Sequence, residues 1–335
     1  MYKISVVIPT FNEEVFIQRC LDSVINQSFP FPEMDVMVVD GGSVDNTKEI
    51  VERYCRNYDN IRLLDNPKRI QSAAFNIGVE NSTAPFVARL DAHAVYDRFY
   101  IERCMAVYSS GKDVMGYNPA VIGNVGGKFM IEPPHKGLIA ESAAILNKSR
   151  FGIGGASFRV GAQAGFVDTV PFGCFPRQVI EQIGGMREDL PRGEDNEYNA
   201  RIRKFGYRIY FDPQIVCRYY SRDTLKKNLS QMYANGKSVG HLFYVDRKAV
   251  GIRHLTPLVF VVAIICGAML SFDDKFFLIL FLSGLAIYFA CDLCASIVAA
   301  KKYGWRFLLP LFFLFFAVHV SYGCGTIVGL LAGKK

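Results

Sequence analysis

Carboxylates and a histidine stand where apolar runs of the sequence end, and their types could support chemistry on a charged substrate. Asp40 and Asp91 each end such a run, and His93 follows Asp91 by two positions. Asp91 and His93 could together hold a divalent cation, because carboxylate and imidazole both suit Mn²⁺, whereas Mg²⁺ favours oxygen. Glu194 and Asp195 precede a predicted helix. Asp195 could act there as a general base whose pKa is tuned by its neighbour Glu194.

A nucleotide-sugar offers targets for all of these groups: a base, a charged diphosphate and a leaving group. Asp40 could accept a hydrogen bond from the N3–H of uracil, and a cation at Asp91 and His93 could neutralise the departing diphosphate. Each residue also has a simpler explanation. Asp40 could cap a turn, His93 could be an ordinary loop histidine, and Asp195 could stabilise a helix N-terminus.

The first half of the chain alternates between short apolar runs, typical of strands, and stretches with apolar residues at helical spacing. This order predicts a parallel sheet with helices on both faces. Functional loops of such sheets lie at the carboxyl ends of the strands, so we expect the polar strand ends to meet in one crevice. The predicted strands are residues 3–9, 35–40, 61–65, 86–91 and 207–211, and the predicted helices are residues 14–26, 45–58, 71–81, 176–183 and 196–205.

The C-terminal part of the chain contains three apolar segments, residues 255–272, 276–300 and 307–333. Each could cross a bilayer, since a span needs roughly 20 residues. Basic residues stand before the first segment and between the second and third, which predicts that the preceding soluble part faces the cytosol. On that topology Lys334 and Lys335 would lie outside, which the charge bias disfavours, so a re-entrant third segment is the alternative.

Two further features concern the same half of the chain. Residues 225–244 mix apolar, lysine and tyrosine residues and could lie along a membrane surface. Asp292 lies inside the second apolar segment and His319 inside the third, both near mid-membrane depth by the helical rise. A carboxylate within a span is a functional residue by default, and we expect Asp292 and His319 to pair and hold the spans together.

Composition limits the classes of protein that remain. The chain has 335 residues and a net charge of +7, without the cluster of basic and aromatic residues typical of nucleic-acid binders. Its nine cysteines lack metal-ligand spacing and favour a reducing, cytosol-facing soluble domain. The N-terminus lacks a basic leader, so we expect no signal peptide. The predicted division is a soluble domain over residues 1–220, an amphipathic interface region over 221–254 and a membrane domain over 255–335.

Four motifs, in this order and spacing, resemble family 2 glycosyltransferases. They are Val6–Glu13, Val38–Thr47, Asp91-Ala92-His93 in the place of the family's DxD motif, and Gly193-Glu194-Asp195 in the place of its ED motif. The resemblance implies an α/β GT-A fold for residues 1–220, the Rossmann-like mixed sheet of nucleotide-diphospho-sugar transferases. The chain departs from the family at His93, where aspartate is usual, and this departure bears on the identity of the metal.

The resemblance implies an inverting mechanism with Asp195 as the catalytic base, supported by Glu194. Asp91 would bind metal and phosphate with His93 as a second metal ligand, and the cofactor would be Mn²⁺ or Mg²⁺. The nucleoside pocket would be lined by Pro9, Thr10, Glu13 and Asp40. Arg222 could bind the diphosphate of donor or acceptor, since arginine binds phosphate well in a bidentate manner. A basic residue near lipid headgroups needs no other role, so this alternative stays open.

The whole arrangement is most similar to ExoA-type transferases of bacterial exopolysaccharide (succinoglycan) assembly. The similarity implies sugar transfer from a nucleotide-sugar, with UDP the expected nucleotide, to a polyprenyl-diphosphate-linked saccharide at the inner membrane. The implied partners are this donor, this acceptor, the membrane and other polysaccharide-assembly proteins, but no nucleic acid. The alternatives are transfer directly to polyprenyl phosphate and, in another class, a catalytically inactive membrane-bound binding subunit. Three spans without an internal repeat argue against a transporter.

Overall fold

The computed structural model describes residues 1–109, 114–190 and 192–333 of the chain. The chain divides into two compact units. The first comprises residues 1–130 and 161–219, and the second comprises residues 131–160 and 220–335. The membrane topology predicted from the sequence depends in part on the charges of Lys334 and Lys335, and these two residues lie outside the described part of the chain.

Nine strands and thirteen α-helices make up the described part of the chain. Those of the N-terminal stretch are β1 (Ile4–Thr10), α1 (Ile17–Ile25), β2 (Met34–Asp40), α2 (Thr47–Asn57), β3 (Ile61–Asp65), α3 (Gln71–Glu80), β4 (Phe86–Arg89), β5 (Ala94–Tyr96), α4 (Tyr100–Ser109) and β6 (Ile122–Glu132). The next are α5 (Leu138–Lys148), α6 (Arg150–Ile153), α7 (Ser157–Val160), β7 (Gly165–Val167), β8 (Cys174–Pro176), α8 (Arg177–Ile183), α9 (Glu194–Lys204) and β9 (Arg208–Tyr220). The last are α10 (Leu225–Val245), α11 (Ile252–Leu270), α12 (Lys275–Tyr303) and α13 (Leu308–Leu331).

The nine strands form one mixed sheet, in the order β3-β2-β1-β4-β8-β6-β9-β5, with β7 paired to β9. The pairs β2–β3, β1–β2 and β1–β4 are parallel, as the alternating pattern of the first half predicts. The remainder of the sheet is antiparallel: β8 pairs antiparallel with β4 and β6, and β9 pairs antiparallel with β5 and β7. The mixed sheet implied by the family resemblance is confirmed.

Strands β1 and β2 form the centre of the first unit, and every residue of both is buried. Burial on both faces explains why each strand is an almost continuous apolar run rather than an alternating one. In the register of these strands Thr10 lies opposite Asp40, and Val7 of β1 lies opposite Arg89 of β4. The carboxyl ends of β1, β2 and β4 therefore meet at one edge of the sheet, as predicted.

The second unit is helical, and its three long apolar helices, α11, α12 and α13, are each long and apolar enough to cross a membrane. In the most apolar stretches of α11 and α12 only 6% of residues are buried, against 33% in that of the last helix. The last helix lies against a buried apolar cluster that α5 and α10 also join. The cluster consists of Ile145, Leu146, Met232, Ala299, Phe307, Leu311, Leu314, Phe315 and Val318.

The predicted pairing of Asp292 with His319 is wrong. Nδ1 of His319 lies 2.8 Å from the hydroxyl of Tyr288, and its Nε2 lies 2.8 Å from the carbonyl oxygen of Phe151. Asp292 is buried and accepts a hydrogen bond from the Ser296 hydroxyl at 3.2 Å, one turn along the same helix. Both ring nitrogens of the histidine are thus occupied by other groups.

Helices α10 and α13 touch backbone to backbone through glycines. A Cβ atom built on Gly236 of α10 would lie 1.9 Å from the carbonyl oxygen of Tyr322, and one on Gly325 of α13 would lie 2.1 Å from the carbonyl oxygen of Tyr233. Small residues of this kind let helix backbones approach closely in membrane proteins.

Replacing Gly236 by alanine is expected to destabilise the second unit by about 1–3 kcal/mol, the usual cost of overpacking, because the opposing atom belongs to rigid backbone. The measurement is the thermal unfolding midpoint of the full chain in detergent. Gly284→Ala is the matched control, since a Cβ atom there meets nothing within 4 Å. Equal midpoints for the two variants would show that the helices do not pack as described.

Candidate active site

The loops that follow β1 and β2 are tied together by hydrogen bonds between the two motif segments. The backbone N–H of Asn12 donates to the Ser43 hydroxyl at 2.8 Å, and the N–H of Val44 donates to Oδ1 of Asn12 at 2.9 Å. The N–H of Glu13 donates to the Thr47 hydroxyl at 2.8 Å. Both motifs therefore build one rigid wall of the crevice at the strand ends.

Asp40, the predicted nucleoside contact, holds the turn that follows β2. One of its carboxylate oxygens accepts hydrogen bonds from the N–H groups of Gly42 at 2.8 Å and Ser43 at 2.9 Å. Nζ of Lys48 lies 3.4 Å from the same oxygen, and the Asp40 side chain is fully buried. The turn-capping interpretation is thus realised in the structure, and a contact between Asp40 and a nucleoside stays a prediction.

The other residues predicted to line the nucleoside pocket lie at the end of β1. Pro9 and Thr10 are buried, and the Thr10 hydroxyl donates to the carbonyl oxygen of Ile8 at 3.1 Å. The Glu13 side chain keeps 22% of its surface exposed, and its Oε1 lies 3.4 Å from Nδ1 of His93. Glu13 therefore joins the strand end of β1 to the residues that follow β4.

Asp91 and His93 lie side by side just beyond β4. Oδ1 of Asp91 is 2.7 Å from Nδ1 of His93, and each side chain is 12% exposed. Burial disfavours the charged imidazolium, but the neighbouring carboxylates of Asp91 and Glu13 outweigh it and raise the pKa of His93 well above its usual value. Burial likewise opposes ionisation of Asp91, yet the charge of His93 holds the pKa of that carboxyl below its usual value.

The same pair forms the only predicted metal site. Within residues 1–109, 114–190 and 192–333, no three His, Cys, Asp or Glu side chains are arranged to hold a metal ion by themselves. Asp91 and His93 could supply two donors, and Nδ1 of His93 is buried without a well-directed hydrogen bond. Two protein donors fit a cation whose remaining positions are filled by substrate phosphate and water, which is how Mg²⁺ is usually bound at phosphate sites.

Asp195, the predicted base, occupies the first turn of α9 beside Glu194. A buried arginine of β4, Arg89, contacts both carboxylates: its Nη1 pairs with Asp195, and its Nη2 lies 3.2 Å from Oε1 of Glu194. The same Nη2 donates to Oε1 of Gln71 at 2.8 Å. The β4 strand end thus brings the ED motif and the Asp91–His93 pair into one crevice.

Arg89 was not among the residues predicted from the sequence. It is only 2% exposed, and arginine is almost never buried without a partner. A charged residue at the end of an otherwise apolar strand, two positions before Asp91, is the signal that could have identified it. Its position fixes the orientation of the carboxylate predicted to act as base.

Burial raises the pKa of Asp195 to about 7, although the positive charge of Arg89 opposes the shift and the charges of Glu194 and Asp91 add to it. The Asp195 side chain nevertheless keeps 32% of its surface exposed. A carboxylate with a pKa near neutral pH, open on one side, has the properties expected of a general base.

The pH dependence of activity tests this assignment. A base must be deprotonated to act, so the transfer rate should rise as pH increases through about 7. Arg89→Met removes the charge that favours the ionised carboxylate and should move this rise to higher pH, so that activity lost at pH 7 partly returns at pH 8.5. Arg89→Lys should move it less, and Arg103→Met, which removes an arginine paired with Asp97, should not move it. An unmoved profile in Arg89→Met would contradict the role of Asp195.

Three basic residues could in principle bind phosphate: Arg222, which was predicted from the sequence, and Lys68 and Arg69, which follow β3. Nζ of Lys68 pairs with Glu188. Arg69 lies against the turn after β2, with its Nη2 3.4 Å from the point where a Cβ atom of Gly42 would stand. Arg222 belongs to the second unit, where its carbonyl oxygen accepts a hydrogen bond from Nδ2 of Asn228 at 3.1 Å. The diphosphate contact of Arg222 therefore stays a prediction.

Known proteins resemble this chain in sequence. Residues 5–163 match the family model described as Glycosyl transferase family 2. The chain is 31% identical over 240 residues to the dolichyl N-acetyl-alpha-D-glucosaminyl phosphate 3-beta-D-2,3-diacetamido-2,3-dideoxy-beta-D-glucuronosyltransferase of Methanococcus voltae, covering 71% of this chain and 73% of that one. It is 29% identical over 269 residues to the succinoglycan biosynthesis protein ExoA of Rhizobium meliloti (strain 1021), covering 79% and 77%.

A solved structure shares the architecture. The mannosyltransferase PcManGT from Pyrobaculum calidifontis, determined in complex with GDP-Man and Mn²⁺, aligns with a TM-score of 0.60 at 20% identity over 95% of this chain and 86% of that one. The mixed sheet of this chain is thus that of the GT-A fold. The chain belongs to glycosyl transferase family 2.

Proposed function

We propose that the protein is an inverting glycosyltransferase that moves a sugar from a nucleotide-sugar, expected to be a UDP-sugar, to a saccharide carried on polyprenyl diphosphate. The observation that carries this proposal is the cluster at the end of β4. Arg89 lies two residues before Asp91 and contacts both Asp195 and Glu194. A direct displacement reaction at a sugar carbon requires both a base and a carboxylate near the phosphate, and this crevice offers both.

In this mechanism Asp195 accepts the proton of the acceptor hydroxyl as the hydroxyl oxygen attacks the anomeric carbon. The new carbon–oxygen bond forms while the bond from that carbon to the diphosphate oxygen breaks. The nucleoside diphosphate leaves with the bonding electrons, and the proton ends on Asp195. A single displacement of this kind inverts the anomeric configuration. Arg89 and Glu194 hold the Asp195 carboxylate in position throughout.

Donor binding is assigned to the strand ends of the first unit. Asp91 and His93 would hold Mn²⁺ or Mg²⁺, which when bound offsets the negative charge of the departing diphosphate. The nucleoside would lie against the wall formed by the two interlocked loops. The residues assigned to it are Pro9, Thr10, Glu13 and Asp40. Arg222 would contact the diphosphate of donor or acceptor.

The acceptor follows from the names of the relatives and from the second unit. One relative is named for a dolichyl N-acetylglucosaminyl phosphate acceptor, and another for succinoglycan biosynthesis. A lipid-linked saccharide fits a chain with apolar helices suited to a membrane. We infer that the protein is a multi-pass protein of the inner membrane with its catalytic domain in the cytosol, where nucleotide-sugars are made, and that it works with other polysaccharide-assembly proteins.

Transfer directly to polyprenyl phosphate is the alternative reaction. A phosphate oxygen is already deprotonated at pH 7 and needs no base, whereas a sugar hydroxyl does. The raised pKa of Asp195 therefore favours the saccharide acceptor. An inactive binding subunit is disfavoured because both Asp91 and Asp195 are present and lie in one crevice.

The proposal is tested by following UDP release from a panel of UDP-sugars in membranes containing the protein. The reactions receive a lipid extract with polyprenyl-linked saccharides, with polyprenyl phosphate alone, or with neither, and contain Mn²⁺, Mg²⁺ or chelator. Release with one donor that depends on the saccharide-linked extract supports the proposal. Release with polyprenyl phosphate alone supports the alternative. Binding of UDP without release under any condition would favour the inactive subunit.

A further inference from the structure

We infer that α13 does not cross the bilayer but lies along its surface together with α10, so that α11 and α12 alone span the membrane. All residues that carry this inference belong to the second unit, and it is independent of the proposed reaction. Length and composition alone make α13 a candidate span, with 24 residues and no charge. The elements packed against α13 within the second unit argue against a spanning orientation.

Helix α10 runs parallel to the second half of α13 and is bonded to it at both ends. The Ser321 hydroxyl donates to the carbonyl oxygen of Leu229 at 2.8 Å, and the Tyr244 hydroxyl donates to the carbonyl oxygen of Leu330 at 2.8 Å. Between these points, a Cβ atom on Gly329 would lie 2.1 Å from the carbonyl oxygen of Lys237. The glycine contacts leave no space for lipid between the two helices, so both must have the same orientation in the membrane.

The charges of α10 exclude a spanning orientation. A spanning α13 would be about 36 Å long by the helical rise, and Ser321 would lie about 20 Å along it, within the hydrocarbon. Lys226 lines the same groove as Ser321, and its neighbour Lys227 is also exposed. Charged lysine side chains at such a depth in the hydrocarbon are costly and rare. At the surface these side chains would instead meet water and lipid headgroups.

The first half of α13 is likewise covered by segments of the chain that carry charged residues. Glu141 of α5 pairs with Arg306, just before α13, and the carbonyl oxygen of Phe151 in α6 bonds His319. Lys148 and Arg150 belong to the same stretch. A spanning α13 would draw this stretch into the hydrocarbon as well, along with its charges.

What α13 leaves exposed is a single apolar stripe. Trp305, in the turn just before the helix, is 61% exposed. Within α13 the exposed fractions are 66% for Leu309, 66% for Phe313, 37% for Val328 and 81% for Leu331. These positions fall on one side of the helix at the helical spacing of about 100° per residue. One apolar face opposite a face covered by charged segments is typical of a helix lying in the interface, and tryptophan is enriched there.

Two spans also account for the distribution of charge. The basic pairs Arg247–Lys248 and Lys301–Lys302 flank α11 and α12, whereas the link between the helices carries Asp273 and Asp274. Two crossings return the chain to the basic side, and a surface-bound α13 keeps its end there. The charge conflict that three spans create at the end of the chain then disappears.

The test is a protease-protection experiment on the full chain in sealed membrane vesicles of known orientation. Cleavable epitope tags are placed before Met1, after Lys335 or within the α11–α12 link at Phe272, and each tagged protein must keep the unfolding midpoint of the untagged one. We expect the two terminal tags to be cleaved in the same vesicles and the link tag only in vesicles of the opposite orientation. Cleavage of the terminal tags in opposite vesicles would establish three spans and overturn the inference. Cleavage of all three tags in the same vesicles would overturn it too.

Discussion

Replacing Asp195 by asparagine is expected to lower the rate of sugar transfer by about 10²–10⁴-fold, the range that a positioned acid or base contributes. Asparagine keeps the size of the side chain but cannot accept the proton of the acceptor hydroxyl. Because the donor is assigned to other residues, its affinity should change little. The measurement is the initial rate of UDP release at saturating donor, combined with UDP binding by calorimetry.

Asp189→Asn is the matched control for this substitution. Asp189 lies six residues before Asp195 and is an exposed carboxylate that pairs with Arg187. Its replacement removes one negative charge without touching the contacts of Arg89. The control should transfer sugar at the wild-type rate. A wild-type rate in Asp195→Asn as well would remove Asp195 from the mechanism.

Replacing Asp91 by asparagine should have an effect of similar size by a different route. The variant loses the carboxylate that offsets the charge of His93, which is also the oxygen donor proposed for the cation. We expect transfer to fall at least about a hundredfold, with much more Mn²⁺ needed to reach half of the remaining rate. The measurement is a Mn²⁺ titration of UDP release, and Asp97→Asn, at an exposed carboxylate near Asp91 in sequence, serves as control.

The substitution His93→Asp tests whether the His93 side chain binds the cation. Aspartate supplies oxygen in place of nitrogen, so the ratio of the rates with Mg²⁺ and with Mn²⁺ should rise. An unchanged ratio, with chelator still abolishing activity, would mean that His93 does not touch the cation.

The strands and helices from β1 to β4 could be predicted because local patterns determine them. The apolar runs of β1 and β2 are buried on both faces, so their sequence alone identifies them. Strand β6 was missed because its glycines resemble a loop. A Cβ atom on Gly127 would lie 1.8 Å from the carbonyl oxygen of Ile215. This glycine is therefore required by the close approach of β9, a strand that is distant in sequence.

In the candidate site, too, contiguous motifs could be predicted from the sequence, whereas contacts between distant residues could not. The motifs that follow β1, β2 and β4 could be located because each is contiguous, and parallel strands bring their ends together. The contact of Arg89 with Asp195 joins residues 106 positions apart, and no local pattern indicates it. The error over Asp292 and His319 has a related cause. The helical rise gives the depth of a residue in a membrane but not the direction in which its side chain points.

The contacts of α13 also bear on how the protein is made. This helix contacts α5, α10, α11 and α12, all of which leave the ribosome before it. Until α13 emerges, the glycine face of α10 and the apolar residues of α5 lack the helix that covers them, and such surfaces are prone to aggregate. The second unit therefore reaches its final packing only after α13 has emerged. Nascent chains stalled before residue 308 should depend on chaperones or be degraded, although α11 and α12 are already complete.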